Sequence, residues 1–508
     1  MSQIKDTTVS DDDAELHRLG YPRKLARRMS AFDNFGVSFT IISILSGCLT
    51  LYYFGMANGG PALITWGWVA VGGMTMLVGL SMGEVCSAFP TSGALYYYSA
   101  KLAKRRGPIA SWYTGWLNAL GQMAITAGID YGAATFIGAY AALQWNFVPT
   151  QHSVLGIYAV VLVVHGLLNT FGVRLVALLN RVSVWWHLIG VLVIVGVLTF
   201  KPTHHQSASF VFTKFVNNSG FGFAGSGIYV AAVGLLMAGY TFTGYDASAH
   251  MTEETRDAAT AGPRGIVTSI VVSLVAGWIL LIGVTFAIQN YATEAGATVP
   301  PAQIFIDALG ATGGKLLLLI AIVAQLFCGM SSVTANSRML FAFSRDRALP
   351  GSTLWYKVNP RTKTPTNAVW LAVAGAFVLA APSWWNSTAY GAVTSIATIG
   401  LYLAYIIPVY LRLRQGTGFQ RGPWHLGRWS AVVGWLAVAW VVFMSVMFLL
   451  PQSSPITAHT FNYAPVALAV VLVGATVWWF ATARGTYTGP VSYGSPDELA
   501  AMEAEAGS

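Results

Sequence analysis

The chain has 508 residues, of which 55% are hydrophobic and only 9% are charged, and its mean hydropathy is +0.59. Soluble globular proteins carry about 25% charged residues, so this composition excludes a protein whose whole surface faces water. The three cysteines show no CxxC spacing, which argues against a disulfide framework or a zinc site, and we expect neither a metal nor a cofactor.

Apolar runs of about 20 residues, the length that crosses a bilayer, recur along the whole chain. They predict about twelve transmembrane helices, near residues 34–57, 62–86, 108–142, 153–171, 176–200, 225–250, 264–289, 315–343, 366–382, 389–411, 430–450 and 463–483. Residues 31–483 are therefore expected to form one membrane domain. The polar segments 1–30 and 484–508 predict two disordered tails, and short amphipathic helices are expected at 93–103 and 301–309.

The positions of the positive charges predict the orientation of these helices. If the N-terminus lies inside, 25 of the 28 lysine and arginine residues fall in inner loops or tails. The positive-inside rule then predicts that both termini are cytoplasmic, and we expect a multi-pass protein of the plasma membrane. The same asymmetry accounts for the net charge of +9, so the basic composition does not indicate a nucleic-acid partner.

Two predicted helices contain a cluster of glycine, serine and threonine that favours an interruption. The cluster in helix one is 43–50 (SILSGCLT), and the cluster in helix six is 239–246 (GYTFTGYD). They occupy matching positions at the start of two sets of five helices, about 31–200 and 221–415. Paired interruptions of this kind mark the substrate site in inverted-repeat transporters, whereas close packing through small residues is the alternative explanation.

Four blocks of sequence narrow the interpretation: 84–97 (EVCSAFPTSGALYY), 180–190 (NRVSVWWHLIG), 242–255 (FTGYDASAHMTEET) and 337–351 (SRMLFAFSRDRALPG). These blocks resemble those of the amino acid–polyamine–organocation (APC) superfamily and, within it, the amino acid/choline transporter (ACT) family, over about residues 31–483. The resemblance implies an all-α polytopic membrane protein with a LeuT-like fold: a five-plus-five inverted repeat with discontinuous helices one and six, followed by two added helices at 430–483.

The resemblance also implies a function. It predicts a secondary active amino acid permease, and not an enzyme, that takes up amino acids or related amines such as γ-aminobutyrate by alternating access. Choline or a polyamine is the alternative substrate on the same fold, and an ion channel is the alternative from another class. The sequence contains neither a GxxxxGK loop nor an HExxH motif, so ATP-driven transport and zinc catalysis are not indicated. No particular oligomeric state is predicted.

By this resemblance, backbone groups at the two interruptions hold the substrate. The amides that receive its carboxylate are those around Ser46, Gly47, Cys48 and Thr50, and the carbonyls that receive its amine are near Tyr240, Phe242 and Thr243. Helix N-termini are natural binding sites for anions. Tyr240 also matches an aromatic gate position, and an ordinary packed tyrosine is the alternative.

Two acids and one amide inside the predicted spans are candidates for the site. An ionisable group inside a bilayer is costly and is therefore a functional candidate. Asp246, just beyond the interruption of helix six, is expected to contact substrate or a gate, with a buried helix-linking hydrogen bond as the alternative. Asp130 and Gln122 in helix three are expected either to contact the substrate or to have a structural role.

The coupling ion has two candidate sites. Ser331 and Ser332 in helix eight match a hydroxyl pair that binds sodium in sodium-coupled transporters of this fold. His187 in helix five matches a lysine of a proton-coupled relative, and the ordinary pKa of histidine, about 6.5, suits proton exchange. Packing of this imidazole beside Trp185 and Trp186 is the alternative. We expect the proton to be the coupling ion.

Charged residues at the inner ends of the helices are candidates for a gate. They are Glu84, Glu253, Glu254, Arg338 and Arg345. Ion pairs that break when the protein opens inward would explain why acids and bases occur together there. Charges that only fix the topology of the chain are the alternative explanation.

Overall fold

The computed structural model of the protein describes residues 11–507 with the exception of positions 24, 26, 363 and 387. Over this range the chain forms helices and no strand. Among the described residues, ten helical segments are long and apolar enough to cross a membrane: Ala31–Thr50, Gly60–Ala88, Gln151–Phe171, Arg174–Phe200, Ala258–Phe286, Pro300–Arg345, Thr366–Trp384, Ala389–Gly418, Gly427–Leu449 and Ala464–Thr486. They confirm the predicted all-α polytopic membrane fold, since about 20 helical residues rise about 30 Å.

The helices are numbered here in chain order. The first half contains α1 (Asp11–Arg18), α2 (Ala31–Ile42), α3 (Ile44–Thr50), α4 (Tyr52–Ala57), α5 (Gly60–Ala88), α6 (Ala94–Leu102), α7 (Gly107–Trp145), α8 (Gln151–Phe171), α9 (Val173–Phe200), α10 (Ala208–Thr213), α11 (Ser226–Gly234) and α12 (Leu236–Thr241). The second half contains α13 (Ala247–His250), α14 (Ala258–Phe286), α15 (Tyr291–Ala295), α16 (Pro300–Arg345), α17 (Ser352–Trp355), α18 (Thr366–Ala380), α19 (Ala389–Gln415), α20 (Ser430–Leu449), α21 (Ala464–Trp478), α22 (Arg484–Thr486) and α23 (Pro496–Gly507).

Two of the predicted spans are not among the ten segments. The third corresponds to α7, a helix of 39 residues. The sixth corresponds to α11 and α12, which together form a shorter apolar segment that ends at Thr241. Because α7 is about twice as long as a bilayer requires, it tilts or extends beyond the hydrocarbon. The count of twelve spans and the inverted repeat stay predictions.

Glycine, proline and short polar side chains explain where several helices begin. α5 has Pro61 in its first turn, where the missing amide of proline costs no helical hydrogen bond. α2 follows Ser30, whose hydroxyl forms a capping box with the carboxylate of Asp33. Within α16, Gly310 has the non-helical angles φ 73° and ψ 173°. The amphipathic piece predicted at 301–309 is therefore set off from the membrane span that follows it.

α7 lies against the centre of the helix bundle. Its Gly121 meets Gly400 of α19, where an added Cβ would lie 3.1 Å from the Cα of Gly121. The two backbones approach this closely because neither residue has a side chain. In contrast, α9, α20 and α21 expose apolar side chains such as Leu192, Val442 and Val470, as expected for helices that face lipid.

The two chain tails pack on one face of the bundle, which we call the tail face. Buried side chains of the N-terminal tail include Leu16, Leu19 and Tyr21. The amide of Tyr493 in the C-terminal tail donates to the carbonyl of Gly20 at 2.9 Å. The polarity of these segments predicts disorder, but their described residues include the helices α1 and α23 and several buried side chains, because a few apolar side chains on one side suffice to dock a polar segment. Residues 1–10 and 508 lie outside the described residues.

Candidate functional site

Helix one is interrupted at Ser43, which joins α2 to α3. Ser43 has the left-handed angles φ 39° and ψ 81°, which turn the chain out of the helix. Its carbonyl accepts the amides of Ser46 at 2.8 Å and Gly47 at 2.9 Å. The amides of Ile44 and Leu45 lie in the first turn of α3. They donate no hydrogen bond to a described residue.

The open amides of helix one thus lie two residues earlier than predicted. Those of Ser46 and Gly47 are bonded to Ser43, and Cys48 and Thr50 lie inside α3. The physical reason is that the chain turns at Ser43, a residue type that rarely has a positive φ. Gly47, the glycine in this cluster, is helical. Its lack of a side chain allows the close contact with Thr241 that is described below.

Helix six is interrupted between α12 and α13, over residues 242–246. Gly244 has φ +85°, a conformation that glycine adopts without strain. The carbonyl of Tyr240 accepts the hydroxyl of Thr243 at 2.6 Å. The carbonyls of Phe242 and Thr243 accept no hydrogen bond from a described residue. Two of the three carbonyl positions that the sequence predicts are therefore unpaired.

The two interruptions touch each other at two points. A Cβ added at Gly47 would lie 2.5 Å from the hydroxyl oxygen of Thr241, and a Cβ added at Gly244 would overlap the side chain of Ile41. Segments come this close only where a side chain is absent. The unpaired amides of helix one and the unpaired carbonyls of helix six therefore lie in one region of the bundle.

Three more buried polar groups in this region have no hydrogen-bond partner among the described residues. They are the hydroxyls of Tyr240 and Tyr390 and the Oε1 of Gln325. Gly128 and Gly132, one turn apart on α7, make room for the two tyrosines: a Cβ at Gly128 would overlap the hydroxyl of Tyr240, and a Cβ at Gly132 would lie 3.3 Å from that of Tyr390. Since buried polar groups are rarely unpaired, these are groups that a polar solute would satisfy.

We call these unpaired groups the candidate site. It comprises the amides of Ile44 and Leu45, the carbonyls of Phe242 and Thr243, and the side chains of Tyr240, Tyr390 and Gln325. Tyr390 and Gln325 are not among the site residues predicted from the sequence. A polar amide inside an apolar span was the available signal for Gln325, whose Nε2 donates to the hydroxyl of Thr50 at 3.4 Å. Tyr390, at the start of its helix, resembles any interfacial tyrosine.

Asp246 is fully buried, and both of its carboxylate oxygens are occupied. Oδ1 accepts the hydroxyl of Tyr405 at 2.7 Å, and Oδ2 accepts the amide of Gln122 at 2.7 Å. Oδ2 also lies 3.3 Å from Nε2 of His250. This is the geometry of the alternative interpretation, a helix-linking acid that joins helix six to α7 and α19. Tyr405 and His250 are not among the site residues predicted from the sequence. The i, i+4 spacing of Asp246 and His250 was the available signal for His250.

Asp130 is also fully buried, but it faces α8 and α16, away from the glycines of α7 that adjoin the candidate site. Its Oδ2 lies 3.1 Å from Nδ1 of His165. Its Oδ1 has no hydrogen-bond partner among the described residues and lies where a Cβ at Gly329 would be. Asp130 thus lies between α8 and α16, paired with His165, and its contact with substrate stays a prediction.

His187 lies beside the interruption of helix one. Its Nδ1 donates to the carbonyl of Ser183 at 2.8 Å, and its Nε2 lies 2.7 Å from the hydroxyl of Ser43. Because a carbonyl only accepts, Nδ1 carries the hydrogen, so in the neutral imidazole Nε2 accepts from Ser43. The immediate polar neighbours of His187 are thus serines of α9 and of the break, and Phe39 packs against its ring.

The two serines of helix eight bond to different neighbours. The hydroxyl of Ser331 donates to Oδ1 of Asn180 on α9 at 2.6 Å. The hydroxyl of Ser332 lies 2.7 Å from that of Thr126 on α7. Adjacent residues on a helix point about 100° apart, and here each hydroxyl has its own partner. The structure brings neither hydroxyl into a hydrogen bond with His187.

Four of the residues predicted to form a gate make two ion pairs on the tail face. Arg345 lies 3.4 Å from Glu253, with both side chains 1% exposed. Arg338 lies 3.0 Å from Glu254. These pairs join the end of helix six to the end of α16. A buried ion pair that loses one partner leaves an unsatisfied charge, so the pairs stabilise the contact between these two helix ends.

Glu84 belongs to a different cluster from the one predicted. Its carboxylate lies 3.1 Å from Arg412 and accepts the hydroxyl of Ser430. It therefore joins α5 to α19 and α20. The reason is that α5 packs extensively against α19 and α20 and has little contact with α16.

The chain tails contact the end of α16 beside the pair of Arg345 and Glu253. The hydroxyl of Tyr21 donates to Oδ2 of Asp346 at 3.1 Å, and the guanidinium of Arg345 lies 4.0 Å from the centre of the Tyr21 ring. The amide of Val491 donates to Oδ1 of Asp346 at 3.3 Å. Burial and the nearby carboxyl group raise the pKa of Tyr21, and burial raises the pKa of Asp346. Both tails thus cover the buried pair of Arg345 and Glu253.

The sequence matches the family model described as "Amino acid permease" over residues 32–474. Amino-acid permease BAT1 of Arabidopsis thaliana is 44% identical over 495 residues, which cover 94% of this chain and 96% of that protein. Amino-acid permease 2 of Neurospora crassa is 30% identical and covers 96% of this chain and 90% of its own length. The GABA-specific permease of Saccharomyces cerevisiae is 30% identical, with 96% of this chain and 87% of that protein covered.

Proposed function

Because this chain belongs to the amino acid permease family, whose members are multi-pass membrane transporters and not enzymes, we propose that it is a secondary active permease for amino acids or related amines. The observation that carries the proposal is the contact between two interrupted helices, through Gly47 and Thr241 and through Gly244 and Ile41. A solute that leaves water needs new hydrogen-bond partners, and unpaired backbone at two touching breaks supplies them.

The unpaired groups of the candidate site match a zwitterion. The amides of Ile44 and Leu45 suit a carboxylate, because they are donors at a helix N-terminus. The carbonyls of Phe242 and Thr243 suit an ammonium group, since they only accept. Choline and polyamines have no carboxylate and would leave both amides unpaired. This asymmetry favours amino acids, and the relative that is named a GABA-specific permease makes γ-aminobutyrate the first solute to try.

We propose that the tail face is cytoplasmic and that the protein lies in the plasma membrane. With this orientation 25 of the 28 lysine and arginine residues lie in cytoplasmic segments, as the positive-inside rule favours. The pairs of Arg345 with Glu253 and of Arg338 with Glu254 then lie on the inner side of the candidate site. They form the inner gate, and they separate each time the site opens to the cytoplasm.

We further propose that uptake is coupled to the proton through His187. When Nε2 gains a proton it changes from acceptor to donor, so the hydroxyl of Ser43 must accept and its own hydrogen becomes free for another partner. A positive charge also appears one hydrogen bond away from the break. Protonation therefore changes the hydrogen bonding at the residue where helix one turns. Ser331 and Ser332 already have separate partners, which supports the proton over sodium.

Uptake into proteoliposomes tests this proposal. Purified protein is reconstituted, and accumulation of labelled γ-aminobutyrate is measured in competition with a panel of amino acids, choline and polyamines. The measurement is repeated with and without sodium and across pH. We expect saturable uptake that amino acids inhibit, stimulation by an acidic exterior, and no requirement for sodium. Flux without saturation would indicate a channel, and inhibition by choline or polyamines alone would reassign the substrate.

A further inference from the structure

A cavity of about 840 Å³ opens at the tail face between the first half of helix one and the α8–α9 turn. Five of the described arginines line it: Arg28, Arg174, Arg181, Arg338 and Arg361. The carboxylates that line it are those of Asp33 and Glu254. The cavity therefore has an excess of positive charge, which attracts an anion.

Two of these arginines are already neutralised. Arg181 lies 2.5 Å from Asp33, and Arg338 lies 3.0 Å from Glu254. The other three, Arg28, Arg174 and Arg361, are exposed and form no ion pair with a described carboxylate. Guanidinium groups without a carboxylate are well suited to phosphate, which they bind through two parallel hydrogen bonds.

The wall of the cavity that faces the bilayer is apolar and exposed. Phe171 is 74% exposed, Leu175 is 45% exposed and Leu178 is 55% exposed, and all three line the cavity. Arg174 is next to Leu175 in the same turn of α9. A small soluble anion would make no favourable contact with this apolar wall. A molecule with an anionic head and apolar chains fits both parts, because basic pockets at the cytoplasmic ends of membrane helices bind anionic lipid headgroups.

We propose that this cavity binds the phosphate headgroup of an anionic phospholipid from the leaflet at the tail face, with Arg28 and Arg174 as its principal contacts. The acyl chains lie along Phe171, Leu175 and Leu178. Because Arg28 lies just before α2 and Arg174 lies in the first turn of α9, the lipid bridges the first half of helix one to helix five. It acts in parallel with the ion pair of Arg181 and Asp33. An effect of this bridge on the opening of the inner gate rests on the proposed function, whereas the binding of the lipid does not.

The test measures lipid binding without transport. Wild-type protein in neutral detergent is titrated with dioleoylphosphatidylglycerol or dioleoylphosphatidylcholine, and bound lipid is counted by native mass spectrometry. We expect a preference for the anionic lipid that R28Q/R174Q weakens by about 30-fold, since each basic side chain near an anionic lipid contributes about 1 kcal/mol. R105Q/R106Q removes two exposed arginines of the tail face that do not line the cavity, and it should retain the preference.

A conservative pair guards against a folding defect. R28K/R174K keeps both charges and should retain most of the preference for phosphatidylglycerol. An unchanged preference in R28Q/R174Q, or an equal loss in R105Q/R106Q, would overturn the proposal. Displacement of the lipid by inorganic phosphate or by an amino acid at millimolar concentration would also overturn it, by assigning the cavity to a small anion. Because no step requires uptake, a protein that failed to transport would still give a clear result.

Discussion

The Nε2 atom of His187 lies 2.7 Å from the hydroxyl oxygen of Ser43, the residue at which the first membrane helix turns. The other ring nitrogen is held by the carbonyl of Ser183, so the tautomer of the neutral ring is fixed. One titratable group is thus connected by a single hydrogen bond to one of the two helix breaks. This relationship makes the coupling proposal specific enough to test.

We predict that His187→Ala flattens the pH dependence of uptake. The variant removes the group that changes from acceptor to donor, so an acidic exterior should no longer stimulate accumulation. Exchange of labelled for unlabelled substrate at equal pH should persist, because the candidate site is untouched. The measurement is initial uptake rate against external pH in proteoliposomes.

The control for this prediction is His459→Ala, which removes an exposed histidine from a loop and should leave the pH profile unchanged. If His187→Ala kept the wild-type profile, the proton would have to act elsewhere. A retained profile together with dependence on sodium would assign coupling to Ser331 and Ser332.

Loss of one member of the buried gate pair should strongly destabilise the protein. Arg345→Met leaves the carboxylate of Glu253 buried without its partner, which costs about 3–5 kcal/mol. The double variant Glu253→Gln/Arg345→Met removes both charges and should recover much of that loss. Thermal unfolding in detergent measures both effects. Equal midpoints for the single and double variants would show that the pair is not coupled.

Tyr21→Phe should loosen the N-terminal tail without unfolding the bundle. The change removes one buried hydroxyl that donates to Asp346, a loss of about 1 kcal/mol. We expect faster cleavage of the tail by a protease, and a shift towards the state that is open at the tail face. Tyr410→Phe is the matched control, because that ring is 39% exposed. Identical cleavage of both variants and the wild type would contradict the tail contact.

Glu294, on the face opposite the tails, should make the stability of the folded protein depend on pH. Glu294 in α15 is buried, with one carboxylate oxygen unpaired, and burial raises its pKa from 4.5 to about 7. The folded protein therefore binds this proton more tightly than the unfolded chain does, so the contribution of Glu294 to stability is greatest below pH 4.5 and is lost as pH rises to about 7. Glu294→Gln should remove this fall in the unfolding midpoint. Glu15→Gln, on the other face, should preserve it.

The two helix interruptions could be predicted from the sequence because clusters of glycine, serine and threonine favour a break in a helix. Gly244 has a positive φ, which glycine adopts readily, yet at the first break the residue with a positive φ is Ser43. Serine rarely adopts this conformation, so its presence in the sequence does not indicate where the helix turns.

The partner of an acid was harder to predict. Glu84 pairs with Arg412, far along the chain, and only the packing of α5 on α19 and α20 brings them together. The packing of the N-terminal tail was also hard to predict. The tail is polar on average, but its few apolar side chains, such as Leu16 and Tyr21, are buried against the bundle.

Unpaired backbone at two touching breaks is the central claim, and binding of substrate to Gly47→Leu tests it most directly. The added side chain has no space beside Thr241 and must separate the breaks. Equilibrium binding of the amino acid that best inhibits uptake should therefore be lost, while Gly196→Leu, at a glycine with open space around it, binds normally. Wild-type affinity in a correctly folded Gly47→Leu protein would contradict the account.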